Sequence, residues 1–141
     1  MNTENRMLHQ LMHVGELLLI SGAEIRRVEE TISRMGKAYG AKETDVFVIT
    51  SSIVVTMTFP DGEMLTQTRR IRTSGGTDFR KIEDLNALSR RCCEEPLTVE
   101  ELRAEVHRIR DGGQNSFYLL CGSILAAGGL TVFFGGNVTD A

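Results

Sequence analysis

The stretch from 117 to 136 constrains the chain most, because it holds no charged side chain in 20 positions. A helix of that length, at about 1.5 Å per residue, measures about 30 Å, the thickness of the hydrocarbon core of a bilayer. Thirteen of these residues are apolar, five are glycine, and Ser123 and Thr131 are the only polar ones. The stretch therefore predicts one transmembrane helix. The alternative is a buried helix of a soluble protein, but such helices are usually shorter and carry charge at their edges.

Small residues recur at four-residue spacing within this stretch. Gly122 and Ala126 form one such pair, and Ser123 and Ala127 form another. Small side chains at this spacing let transmembrane helices approach each other closely. We therefore expect Gly122 and Ala126 to pack against further transmembrane helices. These helices would come from a second subunit, from further sequence or from self-association.

Charge divides the chain into two parts. All 16 Lys and Arg residues, and 18 of the 19 Asp and Glu residues, lie at or before Asp111. We therefore predict a domain at 1–112 and, at 113–141, the transmembrane helix with a short flank. Arg103, Arg108 and Arg110 precede the apolar stretch and no basic residue follows it, which predicts a cytoplasmic domain attached to the inner (plasma) membrane.

Two further features support a cytoplasmic domain and exclude one class of partner. The polar N-terminal residues lack the apolar core of a signal peptide. The three cysteines, of which Cys92 and Cys93 are adjacent, are typical of free thiols in a reducing compartment. With a net charge of −3 and interleaved signs, no nucleic-acid partner is expected.

Within 1–112 the hydrophobic pattern predicts two N-terminal helices. The first covers Arg6 to Ile20, where apolar residues recur at helical spacing and Gly15 marks a close approach to another helix. The second would begin at a capping box, in which Ser21 is the N-cap and the Glu24 carboxylate reaches back to its amide. Gly40 is expected to end this helix.

A β-hairpin or small antiparallel sheet and two more helices should follow, which makes the fold class α+β. The segment 45–59 is rich in β-branched residues, and the turn at 60–62 leads into a returning strand at 63–71. A third helix is predicted from about Asp78 to Cys93. A second capping box, Thr98 with Glu101, begins the fourth. The apolar side of the third helix is expected to consist of Phe79, Ile82, Leu85 and Leu88.

Motifs of catalysis and of cofactor binding are missing from the sequence. It contains no G-x-S-x-G, P-loop or dinucleotide-binding glycine pattern. His9, His13 and Glu16 share one helical face at a spacing suitable for a metal ion, but no Cys or second His pair completes the set. We therefore predict neither an enzyme nor a cofactor nor a metal site. Arg69, Arg70 and Arg72 suggest either an anion or lipid-headgroup patch or a hydrated strand end.

Four segments resemble the threonine/serine exporter family, which includes two-component relatives implicated in the export of dicarboxylates such as succinate. They are Ser21–Gly40, Asp45–Met57, Thr68–Arg90 and Leu125–Ala141. The resemblance implies an integral membrane protein whose cytoplasmic N-terminal region precedes several spans, and which exports small polar metabolites. Against that pattern the chain resembles a truncated or split member, so we expect it to be inactive alone. The alternative is a membrane-tethered interaction or regulatory domain without transport activity.

The charged residues Glu24, Arg27 and Glu29 lie in the first of these segments. On the functional interpretation they bind a zwitterionic or dicarboxylate solute, or couple the domain to the membrane part. On the structural interpretation Glu24 completes the capping box, and Arg27 and Glu29 lie on a solvated helix face. The two interpretations differ in whether neutralising the charge changes transport.

The first testable prediction concerns topology. In a variant whose three native cysteines are replaced by serine, Asn137→Cys should be labelled by an impermeant thiol reagent from outside the cell. Asp61→Cys, the control, should be labelled only after the membrane is opened. Labelling of Asn137→Cys only from the cytoplasmic side would contradict a span at 117–136.

Overall fold

Four α-helices and one three-stranded antiparallel sheet make up the part of the chain that the computed structural model describes, residues 2–72 and 76–112. The predicted α+β class is therefore confirmed for these residues. In chain order the elements are α1 (Thr3–Ile20), α2 (Ile25–Ala38), β1 (Glu43–Ile49), β2 (Ser52–Thr58), β3 (Met64–Arg70), α3 (Phe79–Glu94) and α4 (Val99–Arg110).

The predicted transmembrane helix at 117–136, with Gly122 and Ala126, lies outside the described residues. Among residues 2–72 and 76–112, no helix is both long and apolar enough to cross a bilayer. All seven elements belong to one compact unit that ends at Asp111. The division into 1–112 and 113–141 stays a prediction.

The sheet has the order β1-β2-β3, with both neighbouring pairs antiparallel. Residues 50–51 connect β1 to β2, and the predicted turn at 60–62 connects β2 to β3. The predicted hairpin is thus present within a small antiparallel sheet, which was the alternative prediction, because the β-branched segment divides into two strands at residues 50–51. On β2, Ile53, Val55 and Met57 are fully buried, and the alternate residues are partly exposed. This alternation is that of a sheet covered on one face.

Helix α1 lies at the centre of the core. It packs against α2, α3 and α4 and against strands β2 and β3. A Cβ atom at Gly15 would lie 2.5 Å from Ile32 Cδ1 of α2, so only glycine allows the observed approach without a shift. The close approach predicted at Gly15 is confirmed. The fully buried apolar residues of α1 are Leu8, Leu11, Met12, Val14 and Leu18.

The connection between α1 and α2 differs from the prediction. Ser21 ends α1 as its C-cap and does not begin α2. Gly22, with φ +95°, donates its N–H to Leu19 O at 3.1 Å, and Ala23 donates to Leu18 O at 3.0 Å. These two bonds are those of a Schellman motif. Glu24 is the N-cap residue of α2, without a side-chain capping bond, so the predicted capping box at Ser21 is wrong.

Two other predicted helix boundaries are confirmed, whereas α1 begins at Thr3, three residues before the predicted Arg6. At the end of α2, Gly40 has φ +95°, and Ala41 donates to Gly36 O at 3.0 Å. At the start of α4, Thr98 Oγ1 accepts from the Glu101 N–H at 3.2 Å, and the Glu101 carboxylate accepts from the Thr98 N–H at 3.0 Å. Both boundaries are set by residues close in sequence.

Helix α3 departs from the prediction at its first residue. Leu85, Leu88 and Cys92 face the core, whereas Phe79 is 78% exposed. At about 100° per residue, Phe79 lies about 120° around the helix from Leu85. The prediction that Phe79 contributes to the buried side is therefore wrong, although Asp78 caps α3 by accepting from the Lys81 N–H at 3.1 Å.

The second testable prediction concerns the Thr98 cap. Thr98→Ala should lower the free energy of unfolding by about 1 kcal/mol, because it leaves an N–H of the first turn of α4 without its acceptor. Thr98→Ser, which keeps the hydroxyl, is the matched control and should retain most of the stability. Urea unfolding of the full chain measures both. Equal losses in the two variants would contradict the capping role.

Candidate functional site

A cleft lined by arginines and histidines opens between α1, β3 and α4. Its volume is about 670 Å³. We call it the histidine–arginine cleft. It is lined by Arg6, His9, Gln10, His13, Glu16, Arg69, Arg70, Val99, Arg103, His107 and Arg110.

Helix α1 supplies the floor of this cleft. His9, His13 and Glu16 follow one another at steps of four and three, which places them on one side of the helix. Gln10 lies beside them, is only 6% exposed, and its Oε1 atom has no hydrogen-bond partner among the described residues. A buried amide oxygen without a partner is unfavourable. The Gln10 oxygen is therefore an unsatisfied acceptor inside the fold, next to the cleft.

Strand β3 contributes Arg69, which connects the strand to α1. Its Nη1 atom lies 2.7 Å from Glu16 Oε2, and its Nη2 atom lies 3.3 Å from His9 Nε2. The Arg69 and Glu16 side chains are only 20% and 24% exposed. Arg70 is more exposed and lines the cleft, and Arg72 is exposed and outside it. Of the three arginines predicted as a patch, the structure thus places two at the cleft.

Helix α4 closes the cleft with His107, Arg103 and Arg110. The His13 and His107 rings meet edge to face, with centroids 5.7 Å apart and an interplanar angle of 82°. At the rim, Arg6 Nη2 lies 2.6 Å from Glu100 Oε1. These contacts hold α1 and α4 together beside the apolar core, with the edge-to-face ring contact contributing alongside the Arg6–Glu100 ion pair.

The two α1 histidines of the cleft are held in their neutral form. Burial, followed by the charges of Arg69, His107 and Arg110, lowers the pKa of His13 to about 4. Burial and the charges of Arg69 and Arg103 also lower the pKa of His9. At neutral pH the cleft therefore combines positively charged guanidinium groups with uncharged rings. In the described residues, no group of three or more His, Cys, Asp or Glu side chains is placed to hold a metal ion.

A second groove, of about 610 Å³, lies between α2 and β1 and carries both signs of charge. Glu29, the third of the predicted site residues, lies there, and its Oε1 atom accepts from the Val48 N–H at 3.3 Å. Glu24 and Arg27 are exposed on α2 and line neither this groove nor the histidine–arginine cleft. The structure therefore does not bring the three predicted residues into one site.

Sequence reasoning found only part of the cleft. The spacing of His9, His13 and Glu16 indicated a shared face, although the chemistry considered there was metal binding. Arg103, His107 and Arg110 were missed as site residues, although they also follow one another at helical steps. Such a stripe of basic residues on the predicted fourth helix was the available signal, but nothing in the sequence places that stripe opposite His13.

Comparison with known proteins gives one match. The model of the family described as "Putative threonine/serine exporter" matches residues 9–141, which is all but the first eight residues. No curated protein matches the chain significantly. No solved structure does so either.

The third testable prediction follows from His13. Its pKa is lowered in the folded chain, so the unfolded chain binds a proton more readily between about pH 6.5 and about 4. The stability due to the neutral ring is fully present above about pH 6.5 and is lost as the pH falls towards 4. Melting temperatures measured across this window should fall less steeply for His13→Gln than for the unmodified chain. Parallel slopes would contradict the lowered pKa.

Proposed function

The chain belongs to the threonine/serine exporter family, and from this we propose that it is a component of a membrane transporter that exports small polar metabolites. The observation that carries the proposal is the extent of the family match, which includes both the α+β unit and the apolar stretch at 117–136. Membership of an exporter family implies a membrane location. For the solute we propose threonine or serine, or a dicarboxylate such as succinate.

We place the domain at 1–112 in the cytoplasm and the stretch 117–136 across the inner (plasma) membrane. The support is the distribution of basic residues, since Arg103, Arg108 and Arg110 precede the stretch and none follows it. Positive charge flanking a span favours the cytoplasmic side.

A pathway for a polar solute needs more than one helix. Polar groups within the hydrocarbon region must be satisfied by protein or by water, and a single helix cannot surround a solute. The small-residue spacing of Gly122 and Ala126 supports packing against other spans. We therefore propose that the chain is inactive alone. It would work with helices of a second subunit, of further sequence or of other copies of itself.

Two charged residues at the start of α2, its N-cap residue Glu24 and Arg27, are proposed as coupling residues. Glu24 and Arg27 are exposed, and no hydrogen bond or ion pair joins either side chain to another described residue. They are therefore free to contact solute or the membrane part. Glu29 has a structural role in its bond to Val48, so its contribution to transport is proposed as secondary.

A membrane-tethered regulatory domain is the second candidate. The observation that favours it is the histidine–arginine cleft, because the residues that line it lie between Arg6 and Arg110 and thus outside the stretch at 117–136. A cleft within the domain suits ligand sensing as well as delivery of solute. Transport measurements distinguish the two functions.

The fourth testable prediction is a transport assay. Cells preloaded with threonine, serine or succinate should show efflux when the chain is expressed with its genomic neighbours. They should show none with the chain alone or the neighbours alone. Full efflux from the chain alone would refute the need for further helices. No efflux in any combination would favour the regulatory domain.

Variants of the same assay test the coupling residues. Glu24→Gln and Arg27→Gln should reduce efflux at unchanged protein levels, because each removes a charge that has no structural partner in the described part of the chain. Arg26→Gln is the matched control, since Arg26 is also exposed on α2 but pairs with Glu30 at 3.3 Å. Unchanged efflux in both variants would remove Glu24 and Arg27 from the mechanism.

A further inference from the structure

We propose that the histidine–arginine cleft binds a small anion with two negative charges, carried by carboxylate or phosphate-like oxygens, and that binding draws a proton onto its histidines. The ligand is free in solution. This inference goes beyond the proposed function, because it requires neither a membrane nor transport.

The charge balance of the cleft calls for an anion. Five lining residues are arginines, and Glu16 is the one acidic residue among them. Three of the arginines have acidic partners: Arg69 with Glu16, Arg6 with Glu100 and Arg110 with Asp111. Arg70 and Arg103 form no ion pair with any described residue. The cleft thus has two positive charges in excess, and guanidinium groups bind carboxylate and phosphate oxygens through paired hydrogen bonds.

Gln10 is an independent indication of a ligand. Its side chain is buried in the wall of the cleft, and its amide oxygen has no partner among the described residues. The amide NH2 group forms no hydrogen bond with a described residue either, and it is the donor that Gln10 offers to an anion in the cleft. A donor that is unpaired without ligand and paired with it favours binding.

Proton uptake follows from the position of the histidines. Burial and the surrounding arginines lower the pKa of both His9 and His13, which favours the neutral form of both rings before binding. An anion among the arginines offsets their charge and raises the pKa of both rings. The proton comes from solvent, and a protonated ring carries an N–H on each nitrogen, one of which can donate to the anion. The charged and titratable groups facing the rings are Arg6 and Glu16 of α1, Arg69 and Arg70 of β3, and Arg103, His107 and Arg110 of α4, with Glu100 and Asp111 at the rim.

The dimensions of the cleft suit a small ligand. Its volume of about 670 Å³ lies within the range of small-molecule sites, about 300–1,000 Å³. A carboxylate or phosphate group fills only a part of it, so the remaining space holds water or the rest of an organic anion. An inorganic dianion is therefore a sufficient probe of the charge site.

The experiment uses the full chain and sulfate, which remains a dianion over the relevant pH range, with chloride at equal ionic strength as the reference. Isothermal titration calorimetry should show saturable sulfate binding at about pH 5.5, with proton uptake measured from two buffers of different ionisation enthalpy. Arg103→Gln should weaken binding by about tenfold or more, because it removes a charge-assisted hydrogen bond. Arg70→Gln, which removes the other lining arginine without an ion pair among the described residues, serves as a second variant should Arg103→Gln fail to fold. His13→Gln should reduce proton uptake.

The matched control is Arg26→Gln, which removes an exposed arginine that is not part of the cleft lining and should leave sulfate binding unchanged. Equal weakening by Arg26→Gln and Arg103→Gln would show a general ionic effect and overturn the site. Binding without proton uptake would overturn the role of the histidines. Binding only of vesicles containing anionic lipid, and not of sulfate, would overturn a site for a free anion.

Discussion

The burial of α1 is the constraint on which the rest of the described structure depends. This helix fills the space between the sheet and the other three helices, and Leu8, Leu11 and Leu18 are fully buried in it. Each such leucine contributes about 1.5–3 kcal/mol relative to an exposed one. Without α1, the buried face of β2 and the apolar side of α4 lose a partner that they share. The sheet therefore needs α1 even though its strands pair locally.

A helix buried on so many sides has few positions for polar residues, and these positions form the histidine–arginine cleft. On the side facing α2, the helix lies so close to Ile32 that position 15 has no space for a side chain and is a glycine. On the side facing β3 and α4, His9, His13 and Glu16 contact polar side chains. His9 and Glu16 contact Arg69, and His13 contacts His107. Glu16 of α1 and Arg69 of β3 form a partly buried ion pair, in which each charge compensates the other. Removing either partner would leave the other charge uncompensated. One side of α1 thus packs into the core, and another side lines the histidine–arginine cleft.

The parts of the fold that depend on neighbouring residues in the sequence were predictable. The histidine–arginine cleft was not, because its residues are far apart in the sequence. The Thr98 capping box, the Gly40 terminus and the strand pattern of β2 each depend on residues only a few positions apart. The misreading at Ser21 has a physical reason, because a serine before glycine suits both the end of one helix and the start of the next. The cleft joins Arg69 to Glu16 across 53 positions and Arg6 to Glu100 across 94. No local sequence pattern specifies that the polar side of α1 faces the basic residues of β3 and α4.

Charge on a helix is a weak guide to function, and Glu29 shows why. It lies in the family-like segment, yet its carboxylate accepts from the Val48 N–H of β1, an edge strand whose outer N–H groups have no neighbouring strand. A side chain that covers an edge has a structural reason to be charged. Arg103 and Gln10 show the opposite case. Arg103 forms no ion pair with a described residue, and the buried amide oxygen of Gln10 accepts no hydrogen bond from one. Residues whose polarity the fold does not use are the stronger candidates for binding, and both line the histidine–arginine cleft.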